Sequence, residues 1–177
     1  MKFLGALARS IAMVGMLVAG AAYATPVTAA PGDVALLKSY IGDWRGRGTL
    51  TGKNTELVVC RLSLTQGNGD KVNYSGRCVV AGNNLALKGT LAYIADKSRF
   101  EAAMTSNARF SGIAVGQERN GSIVFDLHER DREDGPNGKD VTVTAQIALD
   151  SGKINVRFQV EYVESGEKIR ANIPFTQ

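Results

Sequence analysis

A chain of 177 residues is long enough for one domain with a single core and short for two. Its 21 Lys and Arg outnumber 17 Asp and Glu, but the basic residues are interleaved with acids, which argues against a dedicated nucleic-acid face. Two cysteines and one histidine are too few for a four-ligand Cys/His metal centre.

The first segment has the layout of an export signal. Lys2 and Arg9 form a thin basic start, Ile11 to Ala22 is apolar, and Ala22-Tyr23-Ala24 places small residues where a signal peptidase reads. Cleavage is expected after Ala24, with a later site near Ala30 as the alternative. An uncleaved anchor is the competing reading, but the run is short and Gly-interrupted beside the roughly 20 apolar residues of a membrane span. With no Cys nearby, a lipid anchor is not supported. The expected organisation is a cleavable signal peptide over 1–24, a flexible segment over 25–32 and a single β-barrel domain over 33–177. Removing Lys2 and Arg9 from the 21 basic residues leaves 19 against 17 acidic ones, a balance of +2. The working protein is then less basic than the whole-chain pI of 9.2 implies.

Asp33 is placed to cap a short helix from Val34 to Ile41, ended by Gly42. From Asp43 onward hydrophobicity alternates with period two, punctuated by Gly, Asn and Asp clusters every ten or so residues, as in an antiparallel barrel. The predicted strands are 43–51, 55–65, 71–80, 85–94, 98–106, 110–118, 121–130, 139–149, 152–163 and 167–176. Asn68-Gly69-Asp70, Asn120-Gly121 and Ser151-Gly152 suit tight hairpins, because these residue types tolerate positive φ. Consecutive hairpins make an up-and-down meander, and closing it removes its edges.

Alternation assigns one face of each strand to the interior, and that inner wall reads as almost free of charge. Trp44, Tyr74, Leu87, Tyr93, Phe100, Met104, Phe125 and Phe158 fall on it, with Phe110 among its other apolar residues, and these eight are the candidate ligand-contacting residues. Ile113, Val115 and Val124 point outward on adjoining strands, as do Leu57 and Val59 elsewhere. Either the N-terminal helix or an extended terminus covers them, or they form a partner or dimer surface.

Cys60 and Cys78 are symmetric about Gly69, so a hairpin centred there sets them opposite each other on the inner face. A disulfide between them is expected in an exported chain, with two buried free thiols as the alternative. His128 falls on the outer face beside Asp126 and Arg130, with no nucleophile near it in sequence. No catalytic constellation emerges, and the chain is read as a non-enzyme. The acidic stretch from Asp131 to Asp140 faintly resembles a calcium loop but lacks its closing Glu, and reads as a solvated hairpin loop. Asn73-Tyr74-Ser75 and Asn120-Gly121-Ser122 match the glycosylation pattern but carry no weight in a bacterial protein, the source that the leader's style suggests.

Leu37, Tyr40 and Ile41 precede Gly42-Asp43-Trp44-Arg45-Gly46-Arg47-Gly48. A short helix followed by G-x-W-x-G-x-G at the head of a β meander resembles the calycin superfamily of lipocalins and fatty-acid-binding proteins, and most of all its ten-stranded nitrobindin-like barrels. The resemblance implies a small-molecule site inside the barrel. It does not bring a haem site, since the family's haem-ligating His lies near the last strand and Lys153 to Gln177 contain none. No cofactor is expected. A second similarity, to periplasmic protease-inhibitor barrels with one disulfide, implies a packed core and a protein partner instead. The leading expectation is an exported lipocalin-like protein, periplasmic or extracellular, that binds an apolar small molecule. An envelope interaction module is the alternative.

Overall fold

The computed structural model describes residues 31–80, 82–107, 111–132 and 138–177. The proposed leader and cleavage site, Phe110, and the middle of the acidic loop lie outside the described residues. One helix, α1 (Pro31–Lys38), is followed by ten strands: β1 (Gly42–Thr51), β2 (Thr55–Gln66), β3 (Val72–Val80), β4 (Asn83–Ile94) and β5 (Arg99–Ser106), then β6 (Ser111–Arg119), β7 (Ser122–Arg132), β8 (Asp140–Asp150), β9 (Lys153–Tyr162) and β10 (Lys168–Thr176). Each strand is antiparallel to its neighbours in sequence, and β10 returns to β1 to close the barrel. This is the closed up-and-down barrel that the alternation predicts.

The helix differs from its expected place. It starts at Pro31 and stops at Lys38, rather than running from Val34 to Ile41. Pro suits the first helical position because its missing N–H is unpaired there in any case. Asp33 therefore lies in the first turn, favourably near the positive end of the helix dipole, rather than capping it. Gly42, with φ of 149°, opens β1 instead of ending a helix. The acidic loop is also shorter than expected, because β7 continues to Arg132 opposite Asp140.

Two hairpins form as their residues dictate. Asn120-Gly121 and Ser151-Gly152 both carry positive φ at successive positions, the geometry that matches the twist of paired strands.

Height along the barrel axis decides how tightly the interior packs. At the end nearest α1, Trp44, Leu64, Val72, Phe100, Phe125 and Ile154 are all buried. Trp44 donates its indole N–H to the Tyr40 carbonyl at 3.0 Å, and the two rings stack at 6.2 Å. Phe100 stands edge-on to both Tyr93 and Phe125, so an aromatic plug fills this base. The glycines of the G-x-W-x-G-x-G segment make room for it. A methyl group on Gly46 would strike the Phe175 ring, and one on Gly48 would lie 2.0 Å from the Asn172 carbonyl oxygen. Lys38 bonds Asp70 at 2.9 Å and the Tyr40 hydroxyl reaches the Gly152 backbone, tying the helix end to two base turns.

Candidate functional site

Away from α1 several inward side chains, Tyr74, Leu85, Leu87, Val143 and Val160 among them, are only half-buried, because they surround space. A cavity of about 650 Å³ runs from a floor of Leu64, Leu91, Leu149, Ile154, Ile173 and Phe175 toward the opposite end of the barrel. That volume is within the usual range for small-molecule sites. Cys60, Cys78, Leu85, Val143, Ala145 and Val160 are among the side chains of its walls. Period-two strands place them there: each hairpin keeps its inward set in register with the next, so β2 to β5 and β7 to β10 supply a mainly apolar lining.

Of the eight candidate contact residues, the structure brings Tyr74, Leu87, Met104 and Phe158 to the cavity. Trp44, Tyr93, Phe100 and Phe125 are not among its lining residues and belong to the base plug, which is a correction to the expected wall. Alternation distinguishes inside from outside but carries no information on height, and the largest rings sit where the barrel is full.

Cys60 and Cys78 form the disulfide, their Cα atoms 4.0 Å apart as directly opposite partners in the β2–β3 ladder. The bridge is part of the cavity wall. Tyr74 is the wall's main polar feature. Its ring lies across Gly89, where any side chain would collide with it, and its hydroxyl donates to the Ala103 carbonyl at 3.1 Å. Burial pushes that hydroxyl up to about 12, so it stays protonated and can still accept a hydrogen bond from a ligand. Ser106 and Tyr162 add hydroxyls nearer the mouth, and the Lys139 ammonium stands 5.4 Å from the Tyr162 ring centre.

Two inward charged groups escaped the sequence reading. Glu129 shares its face of β7 with Leu127, opposite the cavity-lining Val143, and is half-buried. Its carboxylate rests against Gly112, where a methyl group would meet Oε1 at 2.6 Å. Glu56 likewise shares a face with Val58, opposite Leu50. The inner wall is therefore charged near its rim, contrary to expectation. The β6–β7 ladder also runs only from Val115↔Asp126 to Arg119↔Ser122. Gly112 and Glu129 lie beyond that register on the mouth side.

The closed ten-stranded outline matches solved structures from two unrelated sources. The crystal structure of Rv2717c from M. tuberculosis aligns with a TM-score of 0.62 at 15% identity, covering 85% of this chain and 99% of that one. The S-type phycobiliprotein lyase CPES from Guillardia theta aligns with a TM-score of 0.53 at 10% identity, covering 80% of this chain and 89% of its own. At such identities the likeness is one of fold. No protein-family model matches the chain, and no curated protein matches it either.

His128 is exposed on β7, opposite Thr144. Ile113 and Val115 are exposed on β6, Ile113 at 59%, while Val124 on β7 is half-buried. Helix α1 packs at the base near β4 and Trp44, so the expected cover for this patch is not supplied by the helix. Among the described residues no helix is long and apolar enough to cross a membrane.

Proposed function

We propose that this chain is an exported, lipocalin-like carrier of the nitrobindin-like type that holds a small apolar molecule inside its barrel. The observation that carries the reading is the apolar cavity of about 650 Å³, floored by packed side chains and extending away from the helix-plugged base. A packed barrel would have no such space, and a catalytic pocket would need reactive groups converging on it. Burial of an apolar ligand against Leu87, Met104 and Phe158 supplies the affinity, at about 25 cal/mol per Å² removed from water. The Tyr74 hydroxyl offers one polar contact. The leader over 1–24 and the disulfide support a periplasmic or extracellular setting, where such bridges persist.

Titration with a long-chain fluorescent fatty acid tests the reading, with Ala145→Trp as the comparison. The indole projects from the wall into open space, so the barrel is expected to fold while probe binding falls by roughly tenfold or more, as expected when the filled volume excludes the ligand. Equal probe binding by both proteins, or none by the parent chain, would overturn it.

A further inference from the structure

The outer wall of β1, β2 and β3 carries an arrangement that the interior site does not use. Arg45 is directly opposite Arg61, and Arg61 directly opposite Arg77, so three guanidinium groups lie side by side across three strands. Arg47 stands two residues from Arg45 on the same face. All four are exposed, and none forms an ion pair among the described residues. Asp43 is the sole acidic side chain on the outward face of these strands. Like charges directly opposite each other in a sheet are destabilising. A row of three therefore costs stability that no ion pair among the described residues offsets.

Beside the row lies an exposed aliphatic strip. Val59 is opposite both Arg47 and Val79, and Leu57, Val59 and Val79 are 53%, 42% and 47% exposed. The strip is on the mouth side of the Arg45, Arg61 and Arg77 row, level with Arg47 and toward the open end of the cavity.

We propose that this face docks on an anionic phospholipid surface, the arginines meeting the headgroup phosphates and the aliphatic strip entering the headgroup–acyl boundary. Guanidinium groups match phosphate geometry, and a cationic row bordered by exposed aliphatic side chains is the combination that binds a bilayer interface. A nucleic acid fits less well, since the outward face of these strands presents no aromatic side chain for bases to stack on. Docked this way, the barrel would hold its mouth side against the membrane.

Co-sedimentation of the full chain with phosphatidylcholine vesicles, with and without phosphatidylglycerol, tests the inference. Binding is expected only with phosphatidylglycerol and should weaken as salt rises. Arg45→Gln/Arg61→Gln/Arg77→Gln should reduce partitioning by roughly tenfold or more, and Arg61→Gln alone by a smaller factor. Val59→Ser/Val79→Ser should lose severalfold while keeping the salt dependence. The triple variant should melt no lower than the parent, because repulsion is relieved. Equal binding to both vesicle types, vesicle binding unchanged in the triple variant, or capture by heparin or DNA without vesicle binding would each overturn the proposal. The fatty-acid titration reads the interior separately, so either result stands without the other.

Discussion

Tyr74 shows how much a single side chain does in this wall. It fills the space that Gly89 vacates, and it satisfies the Ala103 carbonyl one strand beyond. Its phenol normally ionises near 10 and is held to about 12 here by burial, so the folded protein retains a proton that the unfolded chain gives up. The resulting stabilisation is complete below pH 10 and lost as pH rises toward 12. Absorbance titration of tyrosinate should show a late step near pH 12 that Tyr74→Phe removes. The same substitution should lower unfolding free energy by about 1 kcal/mol in urea, the usual worth of one hydrogen bond. Tyr74 was legible in the sequence as inward-facing, and so were Leu87, Met104 and Phe158. Glu129 was not, although it lies within the predicted strand 121–130 at the parity of Phe125 and Leu127, because the inward set was drawn from apolar residues alone. The alternation itself turns Glu129 inward, and the β7–β8 ladder sets it opposite Val143.

At the scale of elements, the hairpins were the most readable part of the chain. Turn residues with positive φ stand where the twist of paired strands demands them, and every predicted strand overlaps its observed counterpart closely. The symmetric β2–β3 hairpin then sets Cys60 against Cys78 with no further assumption. Closing that loop should stabilise the fold by about 2–4 kcal/mol. Guanidinium unfolding should show the loss both in reduced protein and in Cys60→Ser/Cys78→Ser, with reductant having no further effect on the variant. The helix was less legible. Its hydrophobic pattern is short, and the choice between Pro31 and Val34 as its start depends on backbone geometry that an apolar count does not register. The division between plug and cavity was hidden for a different reason. Phe100 and Met104 have the same parity on one strand, and only the length of the barrel separates the filled end from the hollow one.

The whole molecule has a wet surface whose charge pairs respond to acid. Glu101 is held below the ordinary 4.5 chiefly by its bond from Arg99, with Lys97 adding to it. Asp150 is held below 3.8 chiefly by the Ser122 hydroxyl, then by that of Ser151. Both carboxylates favour the folded state above their ordinary values, and that contribution disappears as pH falls through the lowered ones. Thermal melts should therefore hold steady from neutrality down to about pH 5 and decline below it, with a shallower decline in Glu101→Gln/Asp150→Asn. Asp150 is exposed and Glu101 only half-buried at the surface, so the change should be modest. The disulfide has a second significance at this scale. Cys60 and Cys78 are the chain neighbours of Arg61 and Arg77, so the bridge crosses beneath the two strands whose outer charges repel. The covalent seam inside the barrel lets the surface keep a concentration of positive charge that hydrogen bonds alone would hold under strain. An oxidising environment thus preserves the shape of the hollow and the electrical character of the wall around it in a single chemical step.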